Sequence, residues 1–330
     1  MKTAYENNKI LIQKTVPSMA YNGEELLSWQ KNSRKKLSEL LGIDKFIKVN
    51  PEFEIEYENK IDGATEIRFT FQSEEDYRVP CHLLIPDGIE KPPVMICLQG
   101  HSKGMHISLG RTKYEGEAIA GDRDFCVRAV KEGYAAIAVE QRNFGECGGS
   151  ENGPRCFESA MTALLMGRTT VGERVWDISR LIDVLEQQFA DKLDLENIGC
   201  MGNSGGGTAT AYIAALEDRI VVAVPSCAMC TYKDSIGAMT HCSCNYVPHI
   251  AEYFDMDDLM AMSYPKYYIQ VSGKEDKIFP LLSARKVFED GKKAYASKGA
   301  ADRCAMVEGD GGHRFYADGA WEHIHKFLNK

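Results

Sequence analysis

No apolar run in this sequence approaches the length of a membrane span, so no segment reads as a transmembrane helix. Excess positive charge is also missing. Asp and Glu number 48 against 39 Lys and Arg, a formal charge of -9, which argues against non-specific binding to nucleic acid or anionic membranes. The first twenty residues hold only Ile10-Leu11-Ile12 as a continuous apolar core, too short for the hydrophobic region of an export signal. Repeats and low-complexity segments are lacking too. Cysteine is not scarce. Eleven cysteines in 330 residues with no export signal point to reduced thiols, and so to a cytoplasmic protein, rather than to a disulfide framework.

What is present describes an ordinary globule with a sizeable core, 44% hydrophobic and 26% charged. The length suits one large α/β domain with an N-terminal elaboration, or two domains. Leu26, Leu27, Trp29, Leu37, Leu40 and Leu41 recur at near-helical spacing within residues 21–42, and Gly42 is a plausible stop. Between residues 52 and 85 the pattern changes to alternation, with turns at Asp62-Gly63 and Pro86-Asp87-Gly88, which predicts antiparallel strands. From Val94 onward, apolar strand candidates (Val94–Leu98, Ala135–Val139, Ile198–Met201, Val221–Pro225, Tyr267–Val271, Arg303–Val307) alternate with helix candidates (Asp124–Glu132, Val175–Gln188, Gly206–Leu216, Ser283–Ser297, Asp318–Leu328). Continuous apolar strands separated by helices predict a mostly parallel, doubly wound sheet. Cys97, Cys200 and Cys304 fall within these strands, as small buried hydrophobes would. Two long connections, 101–123 and 226–264, are the expected walls of a pocket.

Chemistry concentrates where the Ile198–Met201 strand runs into Gly202-Asn203-Ser204-Gly205-Gly206 and then a helix. This is the strand–turn–helix setting in which G-x-S-x-G holds a nucleophilic serine clear of the backbone. A serine hydroxyl needs a base oriented by a third group, and the fold would place them after later strands in the order acid, then His. Asp276 follows the Tyr267 strand, and His313 follows the Arg303 strand in a glycine-rich loop. Glu275 and Asp310 compete with Asp276 for the acid role. Oxyanion donors are expected from the backbone N–H of Gly205 and, in the loop Gln99-Gly100-His101-Ser102, from that of His101. The His101 imidazole is either a pocket group or a simple loop side chain, and Gln99 and Gly100 are possible pocket residues.

These motifs, with Arg142-Asn143-Phe144-Gly145-Glu146, make the chain resemble the α/β-hydrolase fold of the acetyl xylan esterase and dienelactone hydrolase-like group over about residues 65–330. Residues 1–64 then form a helical and strand extension before a catalytic domain whose pocket is shaped by insertions near 101–123 and 226–264. The resemblance implies a serine carboxylesterase working through an acyl-enzyme on a small ester, acetyl first among the acyl groups. Dienelactone hydrolases use a cysteine nucleophile, so Ser204 favours the esterase branch. Without an export signal, a short acetylated sugar or another small ester taken into the cell is the expected substrate. No cofactor is implied. A serine peptidase or amidase on the same fold is the rival enzyme, and a non-catalytic ligand-binding protein the rival class.

Arg142 is expected to pair with a carboxylate in a structural turn that has Asn143 where glycine is usual, with a pocket role as the minority reading. Cys227, Cys230, His241, Cys242, Cys244 and His249 are ligand types for zinc, but their spacing fits no zinc pattern; no metal is expected, only buried or pocket-lining thiols. Trp176-Asp177 at a helix start and the run Met161, Leu164, Leu165, Met166 are expected in the core, and Lys31–Lys36 on a solvated face. Whether the N-terminal segment covers the sheet or mediates homo-oligomer formation stays open.

Overall fold

The computed structural model describes residues 1–328. Three strands, β1 (Glu54–Ile61), β2 (Ala64–Glu74) and β3 (Tyr77–Pro86), form an antiparallel ribbon on one edge of the sheet. Six more follow: β4 (Pro93–Leu98), β5 (Ala135–Val139), β6 (Asp194–Asn203), β7 (Ile220–Ser226), β8 (Tyr267–Gly273) and β9 (Cys304–Gly309). The order across the nine-stranded sheet is β1-β2-β3-β5-β4-β6-β7-β8-β9. β3 meets β5 antiparallel, and every pairing from β5 to β9 is parallel. The six expected strands of the parallel part are all present, each within a few residues of its expected bounds.

Both faces of these strands are covered, which is why they read as unbroken apolar runs. Val94, Ile96 and Leu98 point into one core with α2 (Leu26–Leu41), α5 (Thr170–Gln188), α6 (Gly205–Leu216), α8 (Met256–Met262) and α9 (Leu281–Ala296). Met95 and Cys97 point into the other, with α3 (Phe125–Lys131) and α10 (Ala317–Leu328). Trp321 and Phe125 anchor that second layer.

Four helical features depart from expectation. The 226–264 connection carries two short helices, α7 (Ile250–Tyr253) and α8, and the second is buried in the core. α1 (Ala4–Lys14) was not anticipated: it buries no residue, and a reciprocal capping box between Thr3 and Glu6 starts it. It lies on the 226–264 segment, where the Gln13 Nε2 donates to the Lys233 carbonyl at 3.0 Å. α5 starts at Thr170 rather than Val175, because the Thr169 hydroxyl caps the Gly172 N–H at 3.0 Å. Trp176 and Asp177 therefore sit inside the helix rather than at its start. α4 (Phe157–Leu165) overturns the expectation of a core run, since Leu165 is 90% and Met166 55% exposed. Its fully buried residues are Ala160 and Ala163, one turn apart, while Met161 and Leu164 are only half-buried.

Candidate active site

Ser204 occupies the turn between β6 and α6 at φ 55°, ψ -121°. A non-glycine residue there costs about 1–3 kcal/mol, a strain that surrounding structure must impose. The frame that does so is tight. A Cβ on Gly202 would stand 2.5 Å from the Gly206 carbonyl carbon, and one on Gly206 would collide with the Leu98 carbonyl oxygen. The Ser204 N–H donates to the Ser226 carbonyl at 2.8 Å, tying the turn to β7.

Asp276 and His313 come together from the ends of β8 and β9. The His313 Nδ1 lies 2.8 Å from the Asp276 Oδ2, while the Asp276 Oδ1 accepts the N–H groups of Ile278 at 2.8 Å and Phe279 at 3.1 Å. Burial alone would raise the Asp276 pKa, but His313 and these two N–H donors outweigh it and hold it below the ordinary aspartate value. Phe279 stacks on the His313 ring with centroids 6.0 Å apart. The His313 Nε2 is buried with no hydrogen-bond partner among the described residues. Of the competing acids, Glu275 is exposed and Asp310 is spent on a surface pair with Lys274.

The loop after β4 abuts the Ser204 turn so closely that a Cβ on Gly100 would lie 2.8 Å from the Asn203 carbonyl oxygen. Gln99 anchors the loop from below: its Nε2 donates to the Glu140 carboxylate at 3.1 Å and its carbonyl accepts from Gln141 at 2.6 Å. The His101 imidazole packs against Gly205, where an added Cβ would meet its Nδ1 at 2.8 Å. Its Nε2 lies 3.1 Å from the Cys244 sulfur. Burial would lower the His101 pKa, but the Cys242 and Cys244 sulfurs carry it up to about 9.

A cavity of about 630 Å³ opens over this arrangement. Ser204, Gly205, His313, Gln99, Gly100 and His101 all line it. Arg142 does not line it. Its guanidinium is held by both Asp177 oxygens at 2.8 Å and by Glu74 at 2.6 Å, so it braces β2 against α5. Asn143 tolerates the φ of 73° that its turn requires. The lining residues without a prior role come from the two long connections, the Asp276 turn and the His313 loop: Ile107, Ala120 and Arg123, then Met239, Thr240, His241, Cys242 and Asn245, then Ile278 and Phe279, and Arg314. Nothing in hydrophobic periodicity marks such loop residues; the lengths of the two connections signalled only those within them.

The thiols divide differently from their sequence clustering. Cys227 donates to the Arg314 carbonyl at 3.2 Å, His241 meets the Ser235 hydroxyl at 3.1 Å, and His249 sits at the surface beside Glu252. Cys242 and Cys244 instead gather with Cys156 and His101, their ligand atoms all within 4.8 Å of one another.

Residues 167–231, which span α5 and the Ser204 turn, match a family model described as glucuronyl esterase, fungi. A Bacillus subtilis protein, "Putative hydrolase YtaP", is 25% identical over 240 residues, 72% of this chain and 78% of that one. Among solved structures, a "putative acetyl xylan esterase" from Bacteroides fragilis superposes with a TM-score of 0.77 at 19% identity, covering 94% of this chain and 82% of its own. A CE15 glucuronoyl esterase from Teredinibacter turnerae gives 0.69 at 14% identity, covering 96% and 89%. With its parallel sheet, antiparallel leading strands and serine turn between β6 and α6, the chain has the α/β-hydrolase fold.

Proposed function

We propose that this chain is a serine esterase acting on a small ester of a sugar, with acetyl as the acyl group transferred. The observation that carries the reading is the Asp276–His313 pair: the His313 ring, its Nε2 unpartnered, lines the same cavity as the strained Ser204. In this mechanism the Ser204 hydroxyl attacks the ester carbonyl while the His313 Nε2 takes its proton. Asp276 holds the ring in the tautomer with Nδ1 protonated and stabilises the imidazolium. The N–H groups of Gly205 and His101 receive the oxyanion. Collapse expels the alcohol, which takes the proton from His313, and water then hydrolyses the acyl-enzyme by the same route.

A sugar as the alcohol portion is favoured by a second cleft, about 740 Å³, that shares Thr240, His241 and Cys242 with the first. Phe157 and Tyr246 line it and are exposed at 68% and 41%, giving ring faces for a sugar to lie against. Similarity to proteins named for acetyl xylan and glucuronoyl esters supports the same class. All eleven cysteines are free, which supports the reducing cytoplasm as the compartment.

The test compares wild type with Ser204→Ala on p-nitrophenyl esters of graded chain length, an acetylated xylose oligomer and an aminoacyl p-nitroanilide. Cleavage of acetyl esters by wild type alone is the expected result. Cleavage of the anilide alone would make the chain an amidase, and full activity in Ser204→Ala would remove the serine mechanism.

A further inference from the structure

His101, Cys156, Cys242 and Cys244 serve none of the proposed steps through their side chains, yet they converge from three separate segments. Their four ligand atoms lie within 4.8 Å of one another, with Cys242 and Cys244 sulfurs at 3.4 Å and the His101 Nε2 to Cys244 at 3.1 Å. Tetrahedral thiolates at the ordinary zinc–sulfur length of about 2.3 Å stand roughly 3.8 Å apart, so small adjustments bring such a set around one ion. We propose that these four side chains form a closed, tetrahedral Cys3His site for a soft divalent metal ion, zinc above all.

Two features beyond the donor set fit an ion there. Cys156 and Cys244 are buried with Phe144 in a small apolar cluster separate from both main cores, and the half-buried Cys242 packs against it at the cavity edge. Three thiolates and a neutral imidazole around a divalent ion leave one net negative charge. The buried Arg174 is placed to balance it: its guanidinium lies 4.4 Å over the ring of Phe144, which packs on these cysteines, one of its Nη groups donates to the Arg142 carbonyl at 3.0 Å, and its Nε has no hydrogen-bond partner among the described residues. Binding releases the thiol protons to solvent, so affinity rises with pH.

Four protein ligands leave no open position, so the ion activates no water and acts as a pin. It joins the loop after β4 to the 226–264 connection and to the turn before α4. Because the ligating imidazole packs on Gly205, the pin also fixes the loop beside Ser204. His101 is then a positioning residue through its ring, whatever its backbone N–H does in the esterase reading. The metal site itself does not depend on that reading.

The experiment measures metal in the full chain, purified under reducing conditions without chelator, by plasma mass spectrometry. About one zinc per chain is expected, falling below about a fifth in Cys156→Ser and Cys244→Ser. Cobalt(II) added to chelator-stripped wild type should give the intense thiolate-to-cobalt absorption and the visible bands of a tetrahedral sulfur-rich site. The wild-type spectrum decides the matter even where a serine variant fails to fold. Folded, reduced wild type that holds under about a tenth of an ion and gives no thiolate–cobalt band would overturn the proposal. So would well-folded serine variants that keep full metal.

Discussion

His313 and His101 flank the same serine turn, yet their neighbours fit them for different work. His313 has one nitrogen tied to a buried carboxylate at 2.8 Å and the other unpartnered in the cavity. Such a ring has a fixed tautomer and a vacant acceptor, the two properties a proton carrier needs. His101 has its Nε2 against a sulfur at 3.1 Å and its ring wedged on Gly205. A ring whose Nε2 is engaged by a thiol and which is wedged against the serine turn is mounted to hold a loop still. The residue type is shared, and the partners of the two ring nitrogens separate the roles.

The largest effect should come from His313→Ala, which should cut kcat by roughly 10,000-fold while circular dichroism and melting stay near wild type. Retention of most activity would erase the contrast between the rings. Asp276→Asn should come next, at about 1,000-fold or more, because the amide no longer selects the tautomer with Nε2 free. It should also change the acid limb of stability. The Asp276 pKa in the folded chain is depressed below its ordinary value. Its contribution to stability is therefore present above the unfolded value of about 3.9 and lost as pH falls through the folded one. Melting temperatures of wild type and Asp276→Asn should differ most near neutrality and converge on acidification. A constant gap would mean that the carboxylate is not held as its contacts imply.

The positions of Ser204, Asp276 and His313 were legible in the sequence. Strands buried on both faces leave unbroken apolar runs, so β4 to β9 mark themselves, and each candidate group follows such a run directly. Ser204, Asp276 and His313 are thus located by strand ends. The setting of His101 was hidden because its contacts are between loops. His101 and Cys244 are 143 residues apart, and Cys156 lies before α4, far from the Cys242–Cys244 pair in the chain. Ligands gathered from three segments produce no spacing pattern, which is why the nearby thiols suggested no metal. The same reasoning covers α1, whose outward-facing surface gives no buried stripe, and α4, where alanines rather than the large apolar residues are fully buried.

His101→Ala tests the holding role and should cost less, about 10- to 100-fold in kcat, because the loop proposed to donate to the oxyanion loses its brace. A lower melting temperature should accompany it. A loss as deep as that of His313→Ala, with metal content and melting unchanged, would show that His101 touches the reacting atoms and is no brace.

Phe279→Ala should have the smallest effect. Its ring stacks on His313 at an interplanar angle of 15°, while its backbone N–H, which survives the substitution, continues to hold Asp276. The side chain therefore restrains the imidazole only against rocking out of the Asp276 line, a motion that the Asp276–His313 hydrogen bond already limits. Loss of the stack should lower kcat by roughly 3- to 10-fold with little change in KM, since alignment within the bound complex is what suffers. Phe279→Tyr, which keeps a stacked ring, should restore most of the rate. Failure of the tyrosine to do so would mean that Phe279, which lines the cavity, acts through contact with substrate instead of through the mounting of His313.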